Sequence, residues 1–234
     1  MIMDNRLIHY CVCAVLSLMA CACSRDQEPE VLGALFLGDG EVRVLDYVAV
    51  DLGLSVKWAS SNVGVLRPSD GNMFFAWGET SEKTSYSWDT YTFFSSRNPS
   101  LLKYNTEDGL LNLQPADDPA RAVMGAGWRV PTGDELVELL ENCSWTISNG
   151  RGGKIITATS EINGNSIEFP LAGYKSEESL NDVGDHGYIW SSERVEDTPS
   201  SAYIIDFNAK ANKVSISTGD RAFGLCVRGV RSTD

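Results

Sequence analysis

Residues 127–145 read GWRVPTGDELVELLENCSW, and the change of texture inside this stretch decides the kind of fold. Thr132, followed three residues later by Glu135, forms a capping box: each side chain satisfies a backbone N–H that the first helical turn leaves unpaired. Leu136, Leu139 and Leu140 then fall at i, i+3 and i+4 on one face, so the spacing predicts the main helix over 133–142. Asp134, Glu138 and Glu141 sit off that face and read as a solvated surface rather than an acid and base pair. Upstream, Asp118-Pro119 puts a capping side chain before a proline at the first helical position, which predicts a short helix over about 119–124. Reading Asp117-Asp118 as calcium ligands is weaker, because calcium takes about six to eight oxygens and no D-x-D-x-D-G loop surrounds the pair.

Beyond the helix the pattern turns to alternation. ATSEINGNSIEFPLAGY at 158–174 carries Asn163-Gly164 between alternating apolar residues, which predicts a hairpin of roughly 154–160 with 166–172 joined by a type I′ turn. Tyr203, Ile205 and Phe207 alternate with Ala202, Ile204 and Asp206 ahead of NAKAN, predicting a second hairpin over 202–217. Eight Tyr, eight Phe, six Trp and 21 Gly in 234 residues, with short apolar runs broken by Gly, Asn, Asp and Ser, complete the picture of one β-rich domain with long loops. Trp77, Trp128 and Trp190 lie within apolar runs and read as core rather than sugar platforms.

The same inventory narrows the function. With 19 basic against 32 acidic residues and a net charge of −13, nucleic acid is excluded as a partner. After the first twenty residues a single histidine remains, His186, in LNDVGDHGY at 180–188 between Asp182 and Asp185. Any Ser-His-Asp or Cys-His chemistry would have to use it, and a lone loop histidine reads as a solvated turn residue. No Cys/His set has zinc-ligand spacing, and no phosphate-binding or nucleophile-elbow motif is present.

At the N-terminus, LIHYCVCAVLSLMA (7–20) is an apolar run too short to span a bilayer by the ~20-residue criterion and reads as a targeting segment. It ends in Leu18-Met19-Ala20-Cys21, which looks like a bacterial lipobox with Cys21 as the lipidated residue; Cys23 is a weaker second candidate. Read as a metal or redox pair, Cys21 and Cys23 lack further soft ligands, since only Cys11 and Cys13 precede Cys143. Acyl chains contribute about 0.8 kcal/mol per buried CH₂, so two or three would anchor the protein durably in a membrane. SRDQEPE (24–30) follows as a solvated tether. Residues 31–50, two apolar runs around Gly38-Asp39-Gly40, form a short hairpin or one ordered arm. The expected organisation is a targeting segment at 1–20, a tether and arm at 21–45, and the domain at 46–234.

From Tyr47 the chain is more distinctive. YVAVDLGLSVKWASSNVGV, NMFFAWGET, SWDTYTF, LLKYN, the 117–145 segment, SIEFPLAGY, GYIWSSE, SAYIIDF and RAFGLCVRGV follow in order. This order resembles the Fibrobacter succinogenes major paralogous domain, a family frequent among lipoproteins of gut Gram-negative bacteria, over about residues 46–231. GWRVPTGDELVELL and GLCVRGV also resemble, more remotely, the domain of the formylglycine-generating enzymes. The resemblance implies an α+β, C-type-lectin-like domain with one main helix, one short helix, neighbouring chain ends and long loops on one side.

The copper-binding cysteine pair of the formylglycine-generating enzymes has only Cys226 to match it in 219–230. The sugar-coordinating tripeptides of calcium-dependent lectins are matched by neither Glu168-Phe169-Pro170 nor Trp190-Ser191-Ser192. The implied protein needs no cofactor or metal. It is a lipoprotein of the cell envelope, anchored in the outer membrane, and its acidic tether resembles a surface-export signal. Its loops, about 79–115 and 174–188, would present residues to a glycan or protein ligand, with Tyr86, Trp88, Tyr91, Asp182, Asp185 and His186 foremost. An enzyme with a loop-cleft carboxylate site, or a structural subunit of a surface appendage, are the alternatives. C-type-lectin-like domains often tie a helix to the last strand, which implies a disulfide between Cys143 and Cys226 in an oxidising compartment, worth up to ~4.5 kcal/mol for a loop of about 84 residues. Two buried free thiols are the other reading.

Protein extracted from its native membrane is expected to begin at Cys21 with acyl chains attached, and Cys21→Ser to remove them. Mass spectrometry of the N-terminal peptide decides this, and an unacylated wild-type N-terminus would contradict it.

Overall fold

The computed structural model describes residues 33–36, 42–45, 47–65, 71–150 and 153–233. The targeting segment, Cys21, Cys23 and the polar tether lie outside the described residues. Capping sets both α-helices. Helix α1 (Pro119–Met124) starts where Asp118 Oδ1 accepts from Arg121 N at 2.9 Å. The other oxygen of Asp118 accepts from Val130 N at 2.9 Å, so one carboxylate fixes the helix to the chain that leads into the next. Helix α2 (Gly133–Glu141) has the complete Thr132/Glu135 capping box, and it buries Leu136 and Leu139. Arg129 closes on the Glu135 carboxylate with two bonds, 2.7 and 2.5 Å. Ion pairing and the capping bonds hold that carboxyl below its usual range despite its burial.

Strands make up far more of the domain. The arm is a hairpin, β1 (Gly33–Phe36) antiparallel to β2 (Val42–Leu45). Strands β3 (Ala49–Val50) and β4 (Val56–Asn62) follow, with a small ribbon of β5 (Phe94–Ser95) and β6 (Ser100–Leu101) in the long 79–115 connection. After the helices come β7 (Cys143–Gly150), β8 (Gly153–Ser160) and β9 (Ser166–Pro170), an antiparallel meander. The hairpin of β10 (Tyr174–Ser176) and β11 (Ser179–Asn181) precedes a second meander of β12 (His186–Arg194), β13 (Ser201–Asn208) and β14 (Lys213–Asp220). The last strand, β15 (Arg228–Ser232), returns to β4 in a sheet ordered β15-β4-β3, so the start and end of the domain are neighbours.

One turn departs from the sequence expectation. A type I′ turn needs positive φ at both central residues, but only Gly164 is left-handed, at φ 78°. Gly164 N donates to Ser160 O at 3.0 Å and Ser160 N to Asn165 O at 2.8 Å, giving a longer connection over 161–165. Asn163 and Asn165 instead spend their side-chain amides on Asp51 O, at 3.0 and 2.8 Å. Tertiary hydrogen bonding outweighs the local turn preference, and the hairpin tip is tied to the connection between β3 and β4.

Alternation along the central strands feeds two cores. On β13, Ala202 and Ile204 face one cluster with Phe75, Trp77, Trp128 and Trp190, while Ile205 and Phe207 face the other with Trp58, Leu136, Leu139 and Phe169. The segment 221–230 runs between them. It bridges Gly224 to Lys175, Leu225 to Phe75 and Cys226 to Ile189 before pairing with β4. Two arginines of this segment are fully buried. Arg221 donates to Tyr91 Oη (3.0 Å), Tyr104 O (3.0 Å), Pro199 O (2.7 Å) and Lys103 O (3.2 Å), and it lies 4.6 Å from the Trp77 ring centre. Arg228 donates to Asn62 Oδ1 (2.9 Å), Ala59 O (2.8 Å) and Glu168 O (2.6 Å), over Phe169 at 4.4 Å. Among the described residues no carboxylate is bonded to either guanidinium. Burial pulls Arg228 down to about 9, which leaves it charged at neutral pH.

Leaving a buried acceptor unpaired costs about 1–3 kcal/mol, and Arg221 satisfies several. Arg221→Met is expected to lower unfolding stability by about 3–5 kcal/mol, whereas Arg97→Met on the exposed 79–115 connection should change it by under about 0.5 kcal/mol. Urea unfolding compares the two, and equal effects would contradict the role given to Arg221.

Candidate functional site

The clearest candidate among the described residues is a cleft of about 250 Å³ lined by Tyr174, Asp182, Tyr188, Ile204, Thr218, Gly219, Asp220, Phe223 and Leu225. Its lining comes from β10, the turn after β11, the three strands of the second meander, and the 221–230 segment. Ile204 and Leu225 are its buried apolar members. Gly219 packs on Trp190, whose ring would lie 2.9 Å from an added Cβ, and Gly224 packs on Tyr86 at 2.6 Å. Both glycines let core aromatics press directly against the backbone beside the cleft.

Three rings form the walls. Tyr174 meets Tyr188 edge to face, with centroids 5.8 Å apart and planes at 82°, and it lies 5.4 Å from Phe223 at 35°. Gly173 makes the placement of Tyr174 specific. Its φ is 69°, and an added Cβ would lie 1.8 Å from Asn181 O, so only glycine lets the two chain segments cross there. Asp182 is left-handed at φ 58°, a conformation Asp tolerates better than most residues. Its carbonyl accepts from Asp185 N (3.1 Å) and His186 N (2.9 Å), closing the turn that carries its carboxylate to the cleft.

The polar groups are held from behind. Asp220 accepts from Trp88 Nε1 at 3.1 Å and Ala222 N at 3.0 Å. Burial still pushes its carboxyl above the usual range, ahead of the opposing hydrogen bonds. Tyr188 Oη donates to Asp182 Oδ2 at 3.4 Å. Burial raises the Tyr188 phenol, and the nearby Asp206 and Asp182 carboxylates raise it further. His186 stacks on the Tyr188 ring, 5.4 Å away and 11° from parallel, while its Nδ1 is 2.8 Å from Asp206 Oδ1. The histidine therefore backs the wall without lining the cleft.

Of the six residues expected to touch ligand, Asp182 alone lines this cleft. Trp88 and His186 support Asp220 and Tyr188 from outside it. Asp185 points to Lys210, 2.7 Å away, which holds its carboxyl below the usual range. Tyr86 and Tyr91 are corrections: both are buried core residues, not ligand contacts. Tyr86 donates to Phe74 O at 2.6 Å and Tyr91 to Trp77 O at 2.7 Å, and the area each ring buries outweighs the polarity of the loop around it. Tyr174, Tyr188, Asp220 and Phe223 were not singled out by sequence. The available signal for Tyr188 was its period-2 relation to Trp190 on β12.

The disulfide is also corrected. Cys143 and Cys226 are free and buried. The Cys226 thiol is hydrogen-bonded to the Asn62 side chain and lies near Arg228, whereas Cys143 opens β7 beside Glu161. The two thiols thus face different neighbours. Among the described residues no group of three or more His, Cys, Asp or Glu side chains is placed to hold a metal ion. No family model matches the chain, and neither a curated protein nor a solved structure does.

Burial raises the Cys143 thiol to about 11 and the Cys226 thiol to about 12. Neither is expected to react with a thiol reagent at pH 8 in the native state, and both should react after denaturation. Because the folded values exceed the ordinary one of about 8.5, their contribution to stability is full below about pH 8.5 and falls as pH rises toward 11–12. Fast modification of the native protein, or a disulfide found by mass spectrometry, would contradict the assignment.

Proposed function

We propose that this chain is a lipoprotein of the bacterial cell envelope, attached to the outer membrane through Cys21, whose C-type-lectin-like domain binds a glycan or protein ligand without transforming it. The observation that carries the binding part is the Tyr174–Tyr188–Phe223 cleft. It offers aromatic walls and two carboxylates whose positions are set by residues outside the cleft, the kind of preformed concave site at which ligands are held. Its lining contains neither a thiol nor a histidine, which supports recognition over covalent chemistry. Among the described residues no helix is long and apolar enough to cross a membrane; attachment is assigned to the lipid.

A specific observation favours keeping the enzyme reading in the test: His186 and Asp206 make a hydrogen-bonded pair directly behind Tyr188. Glycan and peptide arrays probed with the purified protein are expected to return a ligand that survives calcium chelation and is lost in Asp182→Asn, with thermal unfolding unchanged. Turnover of a substrate by the wild type that disappears in folded His186→Ala would overturn the proposal.

A further inference from the structure

We infer that the cleft recognises a primary alkylammonium group, the chemistry of a lysine side chain on a protein ligand. This inference rests on the reading of the cleft as a ligand site and specifies what enters it.

The first support is a cleft that two carboxylates line and no cationic side chain does. Three buried or half-buried carboxylates elsewhere in the domain have a cation: Glu79 is 2.9 Å from Lys83, Glu135 is 2.5 Å from Arg129, and Asp117 is paired with Lys103. Asp118, which has none bonded to it, spends both oxygens on backbone N–H groups. Asp182, which is exposed, and Asp220, which is half-buried, share one cleft whose lining holds no Lys, Arg or His. Asp220 accepts only from an indole and one amide, and its carboxyl stands above the usual range because burial outweighs these bonds and the nearby Arg221 charge. A cation entering the cleft meets both carboxylates, and the net charge of −13 raises its local concentration.

The second support is the shape of the aromatic wall. A sugar ring stacks best on one open aromatic face, but Tyr174 and Tyr188 stand at 82° to each other, with Phe223 beyond Tyr174. Rings that meet edge to face leave no broad flat platform, and an aromatic wall beside carboxylates suits a compact cation. Donor chemistry separates a primary ammonium from a quaternary one. Asp182 engages a single weak donor, the Tyr188 hydroxyl at 3.4 Å, so its carboxylate and the Tyr188 oxygen retain acceptor capacity that N–H groups can use and methyl groups do not.

Trp88 is the reporter, since its indole N–H donates to Asp220. The full-length protein in detergent is titrated with Nα-acetyl-lysine methylamide, its side-chain-acetylated counterpart, tetramethylammonium and methyl β-glucoside, following the Trp88 indole ¹H–¹⁵N resonance. The lysine amide is expected to shift that resonance saturably, at least tenfold more tightly than tetramethylammonium, and the acetylated compound not to shift it. Asp182→Asn should weaken binding about tenfold without moving the unfolding temperature. Affinity should also fall as the pH is lowered and Asp220, with its raised carboxyl, takes up a proton. Equal shifts from the acetylated compound, or no shift from any of the four, would overturn the inference. A saturable shift from the glucoside alone would overturn it too, while leaving the binding-module reading in place.

Discussion

Fully buried guanidinium groups that bond backbone carbonyls instead of carboxylates are the interaction on which this fold depends. Much of the chain is irregular, and long connections cannot be joined to the core by strand ladders alone. Arg221 gathers the carbonyls of 103, 104 and 199, Arg228 joins β4 to β9, and Arg194 holds those of 105, 110, 195 and 196. Arginine suits the task because its planar fork presents five donors and its face stacks on Trp77 or Phe169, as lysine's single ammonium does not. Removing such a charge from water is costly. Three or four hydrogen bonds per guanidinium, with ring faces worth about 0.5–2 kcal/mol each, offset that cost.

The cleft inherits its rigidity from this arrangement. Asp220 precedes Arg221, Phe223 follows it two residues on, and Leu225 lies within the segment that bridges to Phe75. Trp88, on the long 79–115 connection, reaches across to Asp220 while packing on Tyr91, which itself accepts from Arg221. Carboxylate, indole, tyrosine and guanidinium therefore form one connected set. Aromatic residues that serve as core on one side serve as scaffold for the candidate site on the other.

The elements governed by local chemistry were legible in the sequence. Asp118-Pro119 and Thr132 with Glu135 set both helix starts within a residue, and period-2 alternation marked the hairpins of β8 with β9 and β13 with β14. The type I′ turn was misread because Asn163 and Asn165 bond to Asp51, more than a hundred positions away. Tyr86 and Tyr91 misled for a related reason: polar loop context suggests exposure, but the decisive fact is which ring reaches Phe74 or Trp77. The cleft was only partly foreseen, through Asp182. Its other members come from distant pieces of chain and meet only after the 221–230 segment is threaded between the two cores.

Arginine Nε–H exchange, read by ¹⁵N-resolved NMR, tests the central claim most directly. Buried and bonded to Tyr91 Oη and Asn62 Oδ1, the Nε–H groups of Arg221 and Arg228 should exchange only through global unfolding, while that of exposed Arg97 exchanges at the solvent-limited rate. Exchange at Arg221 and Arg228 as fast as at Arg97 would show that the guanidiniums reach water, and that the account of what holds this fold together is wrong.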